Sequence, residues 1–238
     1  MTKKTILVTR PDESGQTLCE LLQATGFIPV YFPTLAIHPL DIDKTTTKNI
    51  LAKAHLIIFT SPNAVKYGAA LVSKGAQVVA IGPGTAKALA AYQLAVDFPE
   101  EFNSEGLLKH LSLTNLIQKN VVIIKGVGGR ELLAEGLKAL EATVQTIEVY
   151  RRDVPDQIMS DEILTQVSII VVTSCEALIN LLKMTPNRLR SKLKTKQLLV
   201  SSMRIKQQVE ALTFIQEPLL AKNALNTTLI SELERMTD

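Results

Sequence analysis

The sequence predicts an α/β protein of two lobes, each a doubly wound parallel sheet. Three observations predict it. Short β-branched apolar runs alternate with segments of helical periodicity, as parallel strands joined by crossover helices require. The apolar runs are nearly continuous and turn polar only at their C-terminal ends. One such end recurs: residues 57–65 read IIFTSPNAV and residues 169–177 read IIVVTSCEA, each an apolar strand, a Thr-Ser pair and a helix start.

The elements follow from period and punctuation. Residues 5–8 form a first strand, and 15–24 form a helix with Leu18, Leu21 and Leu22 on one face. Residues 29–32 read as the next strand. Further strands are predicted at 56–59, 77–81, 121–124, 143–148, 167–172 and 197–200. Helical spacing appears at 63–72, 85–91, 104–111, 131–140, 176–182, 203–212 and 221–235. Two segments break the rhythm. Phe32 to Pro39 is extended and bracketed by proline, and Ile147 to Pro155 is extended and ends at one. Both read as connectors. The chain therefore leaves one lobe, builds a second and returns. Residues 1–33 and 154–238 form a discontinuous lobe, 41–147 an inserted one, and 34–40 and 148–153 the links between them.

Composition narrows the function. A chain of 238 residues with 46% apolar and 21% charged residues can bury a core and is not disordered. No Trp and 4% aromatics weaken any reading that needs stacking platforms for bases, and a net charge of +3 does not by itself indicate a nucleic-acid binder. Such a charge suits an anionic small ligand if the cations converge. Cys19 and Cys175 match no metal or redox spacing and read as small packed thiols, and His38, His55 and His110 show no ligand spacing either. The apolar run near the N-terminus is too short for a signal peptide, and no stretch reaches membrane-spanning length. The protein is expected in the cytoplasm, away from membranes and nucleic acid.

Ligands of open α/β sheets bind outside the C-terminal strand ends, where helix N-termini favour anions. Those ends here are Val8-Thr9-Arg10, Phe59-Thr60-Ser61, Ile81-Gly82-Pro83, Ile124-Lys125-Gly126, Val172-Thr173-Ser174 and Val200-Ser201-Ser202. Ser61 before Pro62 reads as a helix cap, and Ser174 as its counterpart. Gly82-Pro83-Gly84-Thr85 is a glycine turn into a helix without the ending of a P-loop. Lys125-Gly126-Val127-Gly128-Gly129-Arg130 follows a strand, but Glu131 stands where a dinucleotide fingerprint has its third glycine. It reads better as an anion nest of backbone N–H groups flanked by Lys125 and Arg130. Arg10, Arg151 and Arg152 lie where they can face a ligand or solvent. No catalytic carboxylate pair and no nucleophile elbow appears. Chemistry on this inventory would rest on holding a reactive polyanion in one shape.

The order ILVTRP, IIFTSPNAV, VVAIGPGTAKAL, FNSEGLLKHL, IIKGVGGRELL, IEVYRRDVP, VVTSCEAL resembles that of the uroporphyrinogen-III synthase family over most of the chain. The resemblance implies two α/β lobes joined by a two-stranded β connector. It implies a monomeric lyase without metal or cofactor. Its substrate is hydroxymethylbilane, a linear tetrapyrrole polycarboxylate, and transient contact with the upstream enzyme that makes it is expected. Loss of the hydroxymethyl oxygen gives an azafulvene, the last ring inverts through a spiro intermediate, and the macrocycle closes. By position the resemblance makes Tyr150 the proton donor to the departing hydroxyl and Thr85 the substrate-facing threonine. Ser61 and Ser104 match polar positions lining the cleft, with Ser174 and Ser202 in the equivalent places of the other half. Where the family often has Gly-Pro-Thr-Thr this chain has Ser201-Ser202-Met203-Arg204, so Arg204 would offer a charge in place of a hydroxyl. Two other classes fit the residues alone: a non-catalytic two-lobed protein binding an anionic small molecule, and a nucleotide-sugar transferase.

Overall fold

A computed structural model describes residues 4–128 and 131–236. The chain begins β1 (Thr5–Val8), α1 (Asp12–Ala24), β2 (Ile28–Tyr31) and β3 (Ala36–Pro39). It continues through α2 (Lys44–Ala52), β4 (Leu56–Phe59), α3 (Pro62–Gly68), β5 (Val78–Ala80), α4 (Pro83–Ala90), β6 (Val96–Asp97) and α5 (Ser104–Leu111). Next come β7 (Asn120–Gly126), α6 (Leu132–Ala139), the long β8 (Thr143–Asp153), α7 (Asp161–Gln166) and β9 (Ile169–Val172). The last elements are α8 (Cys175–Lys183), α9 (Asn187–Lys194), β10 (Gln197–Val200), α10 (Met203–Ala211), β11 (Leu219–Leu220) and α11 (Asn226–Glu234).

Two compact units result. One comprises the chain up to Ala36 together with everything from Asp153 onward; the other is Ile37–Arg152. The first holds a parallel sheet in the order β11-β10-β9-β1-β2. The second holds the order β3-β8-β7-β4-β5-β6, with β8, β7, β4, β5 and β6 paired in parallel. In each sheet the winding reverses once, between β9 and β1 in the first and between β4 and β7 in the second. Such a reversal opens a crevice at the C-terminal strand ends. Both Thr-Ser ends stand there, Thr173-Ser174 after β9 and Thr60-Ser61 after β4.

The continuous apolar runs are explained by burial on both faces. In the first sheet Leu7, Ile170, Val172, Leu198 and Val200 pack to one side and Ile6, Val8, Ile169, Val171 and Leu199 to the other. In the second, Ile57, Phe59, Val122 and Ile124 oppose Leu56, Ile58, Val121 and Ile123. Each such side chain contributes about 1.5–3 kcal/mol when fully buried. Central strands without a polar face follow from that layering.

Several elements differ from expectation. Helix α2 was not anticipated because Thr45-Thr46-Thr47 reads as β-prone. Asp43 starts it, its carboxylate accepting from the Thr45 and Thr46 N–H groups. Helices α7 and α9 also escape the periodicity reading. The final helix starts at Asn226 rather than 221, because Leu219–Leu220 is taken up by the edge strand β11. Strand β8 does not stop at 148 but runs on to Asp153 as part of the second sheet, and β3 lies beside it. The extended run into Pro155 read as a link between lobes, two-stranded by the resemblance; its residues up to Asp153 continue β8 beside β3 in the second sheet.

One buried amide fastens the first unit. Asn180 of α8, 4% exposed, donates from Nδ2 to the Thr34 carbonyl at 2.9 Å. Asn180→Leu should lower the stability of that unit by about 1–3 kcal/mol, the cost of leaving a buried acceptor without its donor. A urea titration following first-unit probes checks this, and an unchanged midpoint would refute it.

Candidate active site

The crevice of the second unit holds a cavity of about 200 Å³. Its wall is made by Lys125, Gly126 and Gly128 at the end of β7, Tyr150 and Arg152 from β8, Thr60 after β4, Ser104 of α5 and Glu131 before α6. Tyr150 organises it. The register between β7 and β8 slips at this point: Lys125 faces Glu148 but Gly126 faces Tyr150, so Val149 is an extra residue. A bulge of this kind re-aims side chains. Here Val149 and Tyr150, adjacent in sequence, are both 1% exposed.

The Tyr150 ring lies against Gly126, where an added Cβ would come within 2.5 Å of the ring carbon bearing the hydroxyl. Tyr67 packs on it at 6.2 Å between centroids, and the Arg152 guanidinium stands 5.8 Å from the ring centre. The phenol oxygen accepts from Arg152 Nη2 at 3.3 Å and meets Ser61 Oγ at 3.0 Å. Ser61 Oγ already accepts from the Ala64 N–H at 3.0 Å as the cap of α3. When the Ser61 hydroxyl donates to the phenol, both phenol lone pairs are used and its own proton is left for the cavity.

Beside Tyr150 the end of β7 carries charge. Lys125 Nζ is 3.9 Å from Glu131 Oε1, with the lysine side chain 14% exposed and the glutamate 72%. The Gly128 N–H, at a positive φ of 74°, donates to Glu148 Oε1 at 3.3 Å. The anion nest expected from the glycines thus already holds a carboxylate of the chain itself. Arg130, expected to reinforce it, lies outside the described residues.

The other expected residues fall into three groups. Ser104, Lys125, Gly126 and Tyr150 line one cavity, and Ser61 joins them through its bond to Tyr150. Thr85 sits in the first turn of α4, 3% exposed, and is not part of that wall. The remaining three belong to the first unit. Ser174 and Ser202 cap α8 and α10, accepting from the Ala177 N–H at 3.0 Å and the Ile205 N–H at 3.4 Å. Arg10 donates from Nη1 to the Ala224 carbonyl at 3.0 Å and Asn226 Oδ1 at 2.7 Å, and burial lowers its pKa. Its geometry is that of a brace on the start of α11. The sequence reading put Thr60 at a strand end where ligands bind without counting it in the site, and it gave Glu131 no role beyond the glycine it replaces. It also missed Asn103, whose Oδ1 caps α5 from the Gly106 N–H at 2.7 Å and leaves Ser104 free of that duty.

Gly126→Ala should force the Tyr150 ring out of its seat, at about 1–3 kcal/mol of overpacking. A lowered melting temperature together with a changed near-ultraviolet tyrosine signal would bear this out. Wild-type values for both would show that the ring does not depend on the glycine.

Comparison with known proteins gives the chain's family and fold. The family model for uroporphyrinogen-III synthase HemD matches residues 16–217. A uroporphyrinogen-III synthase of Salmonella typhimurium is 31% identical over 249 residues, covering 96% of this chain and 99% of that protein. The synthase of Escherichia coli is 29% identical over 245 residues, with the same shares covered. Among solved structures, a mutant uroporphyrinogen III synthase of Thermus thermophilus matches with a TM-score of 0.64 at 17% identity, covering 99% of each chain. The enzyme of Helicobacter pylori matches with a TM-score of 0.62 at 13% identity, over 99% of this chain and 100% of that one. At such identities these two structures speak for the fold.

Proposed function

The chain belongs to the uroporphyrinogen-III synthase family, and from that premise we infer that it is a lyase that cyclises hydroxymethylbilane to uroporphyrinogen III, inverting the last ring and releasing water. The observation that carries the reading of the site is the Tyr150 phenol, held at the cavity wall between the Ser61 hydroxyl and the Arg152 guanidinium. Small-molecule pockets usually measure about 300–1,000 Å³, so a cavity of about 200 Å³ suits one pyrrole ring and its acidic arms rather than the whole tetrapyrrole.

The chemistry asks little of the protein. The carbon–oxygen bond of the hydroxymethyl group breaks as the adjacent pyrrole nitrogen pushes in its lone pair. The departing oxygen takes the Tyr150 proton and leaves as water. Ser61, with its oxygen fixed by the Ala64 N–H, and Arg152 hold the phenol oxygen where that proton points into the cavity. The proton lost when the closed ring regains aromaticity restores the balance, so water is the only by-product. Lys125 holds a carboxylate of the ring being turned, which raises the chance of the inverted closure over the direct one. The protein acts as a monomer in the cytoplasm on this reading. Among the described residues no helix is long and apolar enough to cross a membrane.

Two measurements test this. Protein incubated with freshly generated hydroxymethylbilane, followed by oxidation and chromatography, should give isomer III at enzyme levels well below substrate; isomer I alone would refute the assignment. Tyr150→Phe should keep the fold and lower kcat about 100-fold, the low end of what a positioned proton donor supplies. Wild-type turnover by that variant would remove Tyr150 from the chemistry.

A further inference from the structure

The wall of the cavity contains a cation whose own counter-ion is poorly placed to keep it. Lys125 gives up most of its contact with water, its side chain being 14% exposed. In return it has Glu131 at 3.9 Å, the one ion pair it makes among the described residues. A charge-assisted N–H···O bond is about 2.7–2.9 Å long, so this pair is loose. The glutamate side chain is 72% exposed and can leave for solvent at little cost. Glu131 also stands at the cap position of α6, yet its carboxylate makes no capping hydrogen bond there. The helix therefore has no local bond to lose if the side chain swings away. A second carboxylate of the chain, Glu148, occupies the Gly128 N–H of the same turn.

We propose that Glu131 is a place-holder for a substrate carboxylate: it neutralises Lys125 while the cavity is empty and is displaced when an acetate or propionate arm of the tetrapyrrole enters. This rests on the tetrapyrrole reading of the site and adds to it a residue that sets substrate affinity by competition. Glu131 repels the incoming arm and occupies its cation, so the wild-type protein binds less tightly than the same pocket without the competitor. Turnover is not affected once the arm is seated.

The test is a mutant cycle on the full chain, with hydroxymethylbilane as substrate and isomer III as the readout. Glu131→Gln should lower KM about threefold, in line with the small worth of an exposed ion pair, with kcat and the isomer ratio unchanged. Lys125→Met, or Lys125→Gln should the first prove insoluble, should raise KM about tenfold. In either lysine variant the effect of Glu131→Gln should vanish, because nothing is left to compete for. Glu135→Gln makes the same charge change one turn further along α6 and should leave KM within about twofold. An unchanged or higher KM for Glu131→Gln, or an equal drop with and without Lys125, would overturn the proposal while isomer III from the wild-type protein left the function standing. Isomer I alone from the wild-type protein would overturn both.

Discussion

The site depends on one close approach, that of the Tyr150 ring to the backbone of Gly126. No residue with a side chain fits there, since a Cβ would lie 2.5 Å from the ring. The bulge at Val149 supplies the other half of the constraint, bringing Tyr150 opposite Gly126 instead of leaving the ladder in step. With the ring so placed, its hydroxyl meets the cap of α3 on one side and Arg152 on the other. A helix cap is among the better fixed hydroxyls a protein can offer, because its oxygen is already tied to a backbone N–H. The Tyr150 phenol is thus positioned by groups that the fold needs for its own reasons.

The two sheets repeat one design from different starting points. The run β9, β10, β11 corresponds in sheet order to β4, β5, β6, and β1, β2 corresponds to β7, β8. That is why the Thr-Ser ends recur: β9 and β4 hold the same place, each at the edge of the reversal. It is also why the second unit interrupts the first. The chain lays β1 and β2, builds the whole of the other sheet, and then returns with β9 beside β1.

Much of this was legible because buried parallel strands write continuous apolar runs, and capped helices write Ser or Thr at fixed distance after them. Ser61, Ser174 and Ser202 could be found in that way. What could not be read was the use of each hydroxyl: all three cap helices, and Ser61 alone among them bonds to Tyr150. The bulge at Val149 leaves no mark in composition, so the last residues of β8, 148–153, read as a connector rather than as the part of the strand that delivers the phenol. Helix α2 hid behind its threonines because propensity is a weak prior beside a good cap and a buried face. Thr85 was located correctly on its turn, but burial on α4 is a matter of packing that periodicity does not convey.

Arg10 and Lys125 show how the same position can be used in two ways. They stand at the C-terminal ends of corresponding central strands at the reversal of each sheet, Arg10 just after β1 and Lys125 in the last residues of β7. Arg10 has a planar fork that bonds a carbonyl and an amide oxygen at once, and α11 offers both, so that charge is committed to holding the scaffold. Lys125 is a point charge on a flexible stem, left with an exposed and distant partner. A guanidinium so engaged cannot take a ligand without releasing a helix, whereas an ammonium so weakly engaged can take one by letting go of a single surface side chain. The two units thus use a cation at this place differently, and on the function proposed above recognition falls to the unit in which the charge remains exchangeable.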